Sequence, residues 1–337
     1  MKAMSEQRHI IIAGAGLAGL FTAYALTERG VKVRVVDPLP PGSGASRAAA
    51  GMLAPCYEAV LERQEPGGPL LKACLAARRY WDEIASDISE EAGMGIGYDA
   101  RPSFVRAAAE AADGWLGRVT GYLDELGLPH ELVEEGEMLA LPLDGQVDNR
   151  AVIMALVKLL EARGVDFHRG DMKGVIGGTI VDARGWQGPG ASPVKGTAIS
   201  LAQHYGLPDR VVRFGARYLA PKADRVVLGA ISQAGASDTC VSEEDVQALL
   251  GDAAKLYPAI RETQVLERWS GVRPRTQDGL PTLGWLRKSR YVIGGFFRNG
   301  VLLAPLMGQW AASHILDGNL PPEATAFRPD RLSLSAA

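Results

Sequence analysis

The chain has 337 residues, a formal net charge of −3 and 47% hydrophobic residues. This length predicts about two domains of ~150 residues, and the near balance of charge indicates neither nucleic acid nor an anionic membrane as a partner. The richest apolar tract, residues 291–307, is interrupted by glycine, arginine, asparagine and proline, so we expect no membrane span. Three cysteines without motif spacing favour a cytoplasmic protein, and five scattered histidines predict no metal site.

A glycine-rich turn follows the first apolar run. The run that begins at His9 leads directly into Gly-x-Gly-x-x-Gly, at Gly14, Gly16 and Gly19. Gly14 permits the tight turn out of the strand, Gly16 lets the backbone approach a pyrophosphate, and Gly19 lets helix and strand pack closely. The pattern predicts a βαβ dinucleotide-binding unit.

A helix predicted over about residues 17–29 completes this turn. The N–H groups of its first residues, Leu17 and Ala18, and the positive end of its dipole are expected to face the phosphates. The second β-rich run ends at Asp37, which lies 23 residues after Gly14, where a carboxylate can accept hydrogen bonds from a ribose. The alternative is a glycine-rich turn with a surface aspartate.

A loop at 38–44 leads into a segment of small residues. Ser46 and Arg47 are candidates for contacts with phosphate oxygens, and the small side chains that follow allow a flat ligand to approach the backbone. These positions are Ala49, Ala50, Gly51, Met52 and Leu53. The alternative is a packed, alanine-rich start of a helix.

The middle of the chain alternates helices and short strands. Apolar spacing predicts helices near 71–88, 115–126 and 148–163. It also predicts strands near 101–105, 165–168 and 179–186. Asp148 or Asn149 is expected to cap the third of these helices. The strand at 165–168 is expected to return the chain to the first sheet.

From about Val211 the pattern becomes mainly β. Residues 217–221 and 225–229 predict a hairpin. The elements expected after it are a helix from Ser242 to Leu256, strands at 264–269 and 291–294, and a helix from about 300 to 316.

Together the elements predict an α/β fold with a discontinuous two-domain arrangement. A Rossmann-like nucleotide domain is expected to comprise residues 1–70, 142–195 and 268–337. Insertions at 71–141 and 196–267 are expected to form a second domain around an antiparallel sheet.

Four stretches resemble the FAD-dependent D-amino acid oxidase family, and within it the glycine oxidases of the thiamine-pathway type. They are 14–19 with Asp37, Ser46 to Pro55, Gly271 to Pro274 followed by Thr276 to Pro281, and Phe297 to Pro305. The resemblance covers nearly the whole chain. Its last two motifs are specific, whereas many flavin and NAD enzymes share the first.

The resemblance implies a noncovalent FAD at the nucleotide unit. Its isoalloxazine ring would lie between Ala49–Leu53 and the turn at Arg298–Leu302, and the helix that begins near Val301 would direct the positive end of its dipole at the ring. The further contacts implied for the cofactor are Val175 at the adenine, Gly185, Arg298, Asn299, Gly300, Val301 and Leu302.

On the substrate side, the resemblance implies a carboxylate clamp. Arg273 and Arg298 would bind the carboxylate of an amino acid, and the hydroxyl of Tyr218 would help to hold it. Arg275 lies two residues from Arg273 and is a rival ligand outside the family pattern. The alternative interpretation is that these arginines are ordinary surface or ion-paired residues and that Tyr218 is a packing residue.

The implied reaction is oxidative deamination of a small amino acid or amine, such as glycine, sarcosine or a D-amino acid. Hydride transfer from Cα to flavin N5 would give an imine, then a 2-oxo acid and ammonia, and molecular oxygen would be reduced to H2O2. No side-chain base is needed if the amine arrives neutral. A homo-oligomer is compatible with the sequence, which leaves the oligomeric state open.

Three other functions stay open. A dehydrogenase would keep the FAD but pass electrons to a quinone or a protein. NAD-dependent reduction fits Asp37 but leaves the C-terminal motif unexplained. A non-enzymatic flavin-binding scaffold would not need Arg298.

Several departures from the family pattern leave the substrate open. Phe296 stands where the family often has histidine, and Ala216 and Ser232 stand where glycine oxidases have bulkier residues. The segment between Phe167 and Thr179 is shorter than usual. The pocket is therefore expected to have room for something larger than glycine.

Overall fold

The computed structural model describes residues 9–109, 111, 113–172 and 178–332. Its strands are β1 (Ile10–Ala13), β2 (Val33–Asp37), β3 (Met52–Leu53), β4 (Ser103–Arg106), β5 (Glu131–Val133), β6 (Met138–Leu141), β7 (Gly145–Gln146), β8 (Asp166–Arg169), β9 (Thr179–Asp182), β10 (Ala191–Leu201), β11 (Val212–Phe214), β12 (Arg217–Pro221), β13 (Val226–Ala234), β14 (Val265–Thr276), β15 (Thr282–Arg287) and β16 (Arg290–Gly294). Its α-helices are α1 (Leu17–Glu28), α2 (Ala45–Ala48), α3 (Pro55–Leu61), α4 (Pro69–Ala92), α5 (Trp115–Leu126), α6 (Asn149–Ala162), α7 (Glu243–Leu256) and α8 (Gly300–Asp317).

One sheet of the described part has the strand order β15-β16-β9-β1-β2-β8. Strand β1 pairs in parallel with both β2 and β9, and β8 pairs in parallel with β2. Ile10, Ile12 and Ala13 of β1 are buried, as expected for a central strand of a parallel sheet that is covered by helices. The predicted nucleotide unit and the return of residues 165–168 to its sheet are both confirmed.

The second sheet has the order β14-β10-β13-β12-β11-β4-β6-β5 and is antiparallel except where β11 meets β4. The hairpin predicted at 217–221 and 225–229 is present as β12 and β13. The strand predicted at 264–269 continues to Thr276, so that prediction was too short. Pro274 does not end it because β14 is an edge strand, where the loss of one N–H donor is tolerated.

The predicted helix caps are also present. Asp148 is the N-cap of α6, and its side chain accepts hydrogen bonds from the N–H groups of Arg150 and Ala151. The side chain of Ser242 accepts from the N–H of Asp245 at the start of α7. These caps satisfy N–H groups that the first helical turn leaves without intrahelical partners.

Helix α4 packs against α8 and α6, although all but its first two residues lie beyond the proposed boundary at residue 71. The rings of Trp81 on α4 and Phe21 on α1 meet edge to face, with centroids 5.7 Å apart. The Trp81 indole N–H donates to the carbonyls of Val301 and Leu302, at 3.2 and 3.1 Å. The two-domain division stays a prediction.

The hairpin loop between β12 and β13 contacts the segment that precedes α6. Lys222 Nζ donates to Gln146 Oε1 and to the Val147 carbonyl, each at 2.7 Å. Arg225 Nη2 lies 3.0 Å from Asp148 Oδ2, the carboxylate that caps α6. In the described ranges, no helix is long and apolar enough to cross a bilayer.

Candidate active site

A cavity of about 430 Å³ extends from the glycine-rich turn to the second sheet. Its walls include the turn after β1, the segment around α2 and β3, the end of β9, part of β14 and the start of α8. Small-molecule and cofactor sites typically have volumes of about 300–1,000 Å³. This one cavity therefore joins the predicted nucleotide turn to the predicted substrate arginines.

Backbone geometry at the turn requires glycine. Gly14 has φ of +109°, and a Cβ there would lie 2.4 Å from the carbonyl oxygen of Ala183. A Cβ on Gly19 would lie 2.0 Å from the carbonyl oxygen of Gly14. The predicted tight turn and close helix packing are thus both present.

Asp37 ends β2 beside this turn and lines the cavity. Its Oδ2 accepts from the N–H of Ala15 at 2.8 Å, and its Oδ1 accepts from the N–H of Leu39 at 2.9 Å. The carboxylate therefore fixes the turn, and its contact with a ribose stays a prediction.

The small-residue segment forms another wall. Ser46 Oγ accepts from the N–H of Leu17 at 2.9 Å, so its hydroxyl is engaged with the turn. Gly51 has φ of +76°, and a Cβ there would lie 2.1 Å from the Val147 carbonyl oxygen. Arg47 instead turns outward, with its side chain 55% exposed and 3.6 Å from Glu267.

Most of the predicted cofactor residues line the cavity: Gly14, Gly16, Leu17, Ala18, Asp37, Ser46, Ala49, Ala50, Gly51, Met52, Gly185, Arg298, Asn299, Gly300 and Val301. Gly19, Arg47, Leu53 and Leu302 are described residues that do not line it. Val175 lies outside the described residues. The role of each residue stays a prediction.

Arg273 projects from β14 into the cavity. Its Nη1 donates to Ser232 Oγ at 3.0 Å, and a Cβ on Gly196 would lie 2.4 Å from its Cζ, so the guanidinium lies against the bare glycine. Burial, together with the charge of Arg298, lowers the pKa of Arg273. Among the described residues, no carboxylate forms an ion pair with it.

Arg298 enters from the turn before α8 and meets a buried acid. Its Nε lies 2.8 Å from Glu58 Oε2, while Glu58 Oε1 accepts from Arg213 Nη2 at 2.8 Å. Burial alone would raise the pKa of Glu58, but the charges of Arg298 and Arg213 outweigh burial and lower it. Glu58 is therefore an ionised carboxylate in the cavity wall.

Tyr218 completes this end of the cavity. It is buried, and a Cβ on Gly229 would lie 2.3 Å from its hydroxyl oxygen, so the phenol packs against that glycine. Burial raises the pKa of Tyr218, which keeps the hydroxyl a neutral hydrogen-bond donor.

The rival arginine points elsewhere. Arg275 lies 3.5 Å from Glu62, and its guanidinium lies 4.7 Å from the centre of the Phe297 ring. It does not line the main cavity, whereas Phe296 does. Ala216 lies in the turn between β11 and β12 and lines a separate, smaller cavity instead.

Sequence reasoning missed Glu58 and Arg213. Each is a single charge inside an apolar segment, Glu58 within α3 and Arg213 at the centre of β11. Charged residues are almost never fully buried unless they are paired. A lone charge in an apolar segment therefore predicts a buried, paired residue, but the sequence does not identify the partner.

Asn299, Gly300 and Val301 bring the N-terminus of α8 to the cavity. The buried Asn299 Oδ1 has no hydrogen-bond partner in the structure. A helix N-terminus also favours negative charge. A ligand with both a donor and an electron-rich edge therefore fits this end of the cavity.

Comparisons with known proteins agree with this geometry. A family model described as "FAD dependent oxidoreductase" matches residues 9–314. Glycine oxidase from Geobacillus kaustophilus is 29% identical, over 90% of this chain and 92% of that protein. The bifunctional protein ThiO/ThiG from Synechocystis is 30% identical over 97% of this chain, which spans only 54% of that relative's length.

Solved structures show the same architecture. The crystal structure of glycine oxidase from Geobacillus kaustophilus superposes with a TM-score of 0.84 and 27% identity, covering 98% of this chain and 99% of that one. Iminodiacetate oxidase from Chelativorans superposes with a TM-score of 0.81 over 95% of this chain and 98% of that one, but at 18% identity it indicates the fold alone.

The predicted α/β fold, the predicted family and the predicted cofactor are confirmed. With the family match extending over most of the sequence, this chain belongs to the D-amino acid oxidase (DAO) family of FAD-dependent oxidoreductases, and its cofactor is FAD.

Proposed function

We propose that the protein oxidises the carbon–nitrogen bond of a small amino acid or amine that carries a carboxylate, such as glycine, sarcosine or a D-amino acid. The products are the imine or 2-oxo acid, ammonia and, with oxygen as acceptor, H2O2. One observation carries the proposal: a single cavity joins the glycine-rich turn to the half-buried guanidinium of Arg273. The named activity of the Geobacillus relative supports the same class of reaction.

Arg273 is the proposed anchor for the carboxylate. It is a cation without an acidic partner among the described residues, and only one of its terminal nitrogens is engaged, by Ser232. Hydrogen bonds between a guanidinium and a carboxylate contribute about 1.5–3 kcal/mol each. Tyr218 and the free terminal nitrogens of Arg298 are the further donors proposed for the same anion.

Glu58 is the proposed partner of the substrate amine. Its Oε2 has an ion-pair contact with Arg298 but no aligned hydrogen bond, and the residue lines the cavity. A buried acceptor with a free lone pair suits an N–H donor. Carboxylate and amine would then be held at two points, which orients the Cα hydrogen.

The cavity fits FAD. The glycine turn gives close backbone approach for a pyrophosphate, and Asn299 Oδ1 offers an unused acceptor at the other end. When bound, FAD supplies the acceptor for the hydride from Cα. The chain's own contribution is to bind, orient and desolvate the substrate, while the α8 N-terminus favours negative charge beside it.

The test is anaerobic bleaching of the flavin absorbance by candidate amines. We expect bleaching by at least one of glycine, sarcosine and small D-amino acids, and H2O2 formation when air is admitted. Absence of bleaching by every amine with a carboxylate would rule the proposal out. Bleaching that is reversed by an artificial dye but not by oxygen would instead identify a dehydrogenase.

A further inference from the structure

Arg213 is a fully buried cation behind the cavity wall. Its side chain is 0% exposed and lies between two aromatic rings, with its Cζ 4.4 Å from the centre of the Tyr57 ring and 5.8 Å from that of Tyr218. Its Nη1 contacts Met52 Sδ at 3.3 Å. Because it does not line the cavity, Arg213 acts on a ligand only through its neighbours.

A contribution to fold stability does not by itself explain why a charged residue occupies this buried position. Its Nε has no hydrogen-bond partner in the structure, and a buried ion pair is often replaced by apolar residues without loss of stability. Three of its neighbours, Met52, Glu58 and Tyr218, line the cavity. Its position therefore points to the arrangement of that wall.

The contact with Glu58 explains the geometry of Arg298. Arginine commonly binds a carboxylate through two parallel N–H···O contacts. Here Arg213 donates to Oε1, and the closest approach of Arg298 to Glu58 is between Nε and Oε2. Within the described chain, the terminal nitrogens of Arg298 form no ion pair with any other acid.

We propose that Arg213 is a positioning residue: by occupying Glu58 Oε1, it limits Arg298 to a single contact and keeps the terminal N–H groups of Arg298 free for the substrate carboxylate. This inference rests on the proposed function, because it needs a carboxylate ligand. The residue touches neither substrate nor FAD.

The test uses the FAD-loaded protein and acetate as the carboxylate probe, with affinity measured by calorimetry. Arg213→Met is expected to weaken acetate binding about 10- to 100-fold, the value of one hydrogen bond between charged groups. Arg213→Lys keeps a donor to Oε1 and is expected to recover part of the affinity. On a Glu58→Gln background, adding Arg213→Met is expected to change the affinity little.

Crystal structures of Arg213→Met and Arg213→Lys would show the position of the Arg298 side chain without any substrate. We expect Arg298 to turn and bind both oxygens of Glu58 in the methionine variant only. An unmoved Arg298, or an equal loss of affinity on the Glu58→Gln background, would overturn the inference.

Failure of the proposed function gives a different result. If Arg273→Met leaves the acetate affinity unchanged, Arg273 does not bind a carboxylate and the proposed function fails. The crystal structures would still show whether Arg213 sets the geometry of Arg298. If Arg213→Met does not fold, two other variants remain. The double variant Arg213→Met/Glu58→Gln has no buried charge left unpaired at these two positions, and its acetate affinity can be compared with those of Glu58→Gln and Arg213→Lys.

Discussion

Arg298 forms an ion pair with the buried Glu58, in which the guanidinium Nε lies 2.8 Å from Oε2. The pair links the turn before α8 to helix α3 across the substrate end of the cavity. It fixes the position of both groups relative to Arg273.

Replacing Arg273 with Met should impair substrate binding more than turnover. The loss of its hydrogen bonds to a carboxylate predicts a KM higher by about 10- to 100-fold. Arg275→Met is the matched control, because Arg275 lies on the same strand but is paired with Glu62. Equal effects of the two substitutions on KM would contradict the assignment.

Gly196→Ala tests the contact under the guanidinium. The added methyl group would lie 2.4 Å from Arg273 Cζ, so the arginine has to move and substrate affinity should fall by about tenfold or more. Gly251→Ala in α7 is the control, because nothing lies within 4 Å of its Cβ position. There we expect unchanged affinity, and stability higher by up to about 1 kcal/mol.

Glu58→Gln should destabilise the protein strongly. It leaves the fully buried guanidinium of Arg213 and the half-buried one of Arg298 without their carboxylate, and the loss of one partner of a buried pair reduces the free energy of unfolding by about 3–5 kcal/mol. Glu62→Gln breaks an ion pair with an arginine that is 47% exposed, so its cost should be below about 1 kcal/mol. Denaturant unfolding measures both, and similar values would show that the Glu58 cluster is not a stabilising one.

The buried amine of Lys222 should make the free energy of unfolding depend on pH. Burial lowers its pKa from 10.5 to about 7, so between these values the unfolded chain binds more protons than the folded one. The free energy of unfolding should therefore rise with pH above about 7, by up to ~1.4 kcal/mol per pH unit. Lys222→Met should remove this rise, and parallel pH profiles of the two proteins would contradict it.

The sequence predicts best what depends on local geometry. The turn at Gly14 is recognisable because its backbone conformation and the nearby Ala183 carbonyl both require glycine. The cap at Asp148 follows from the start of an apolar stripe. Each depends on residues that are close in sequence or on a motif with fixed spacing.

Contacts between distant charges could not be predicted in this way. Glu58 pairs with Arg213, which is 155 positions away, and only the fold brings the two together. The length of β14 was also misjudged, because the tolerance of Pro274 depends on the strand being at an edge. The exclusion of Arg275 similarly depends on Glu62 and Phe297.

The contacts of Lys222 and Arg225 with Gln146, Val147 and Asp148 have a consequence for how the molecule denatures. Separating the second sheet from the segment before α6 would leave the Lys222 amine and the Arg225 guanidinium without these partners at the same moment. Heating should consequently melt both sheets in one cooperative transition, with the calorimetric and van't Hoff enthalpies in agreement.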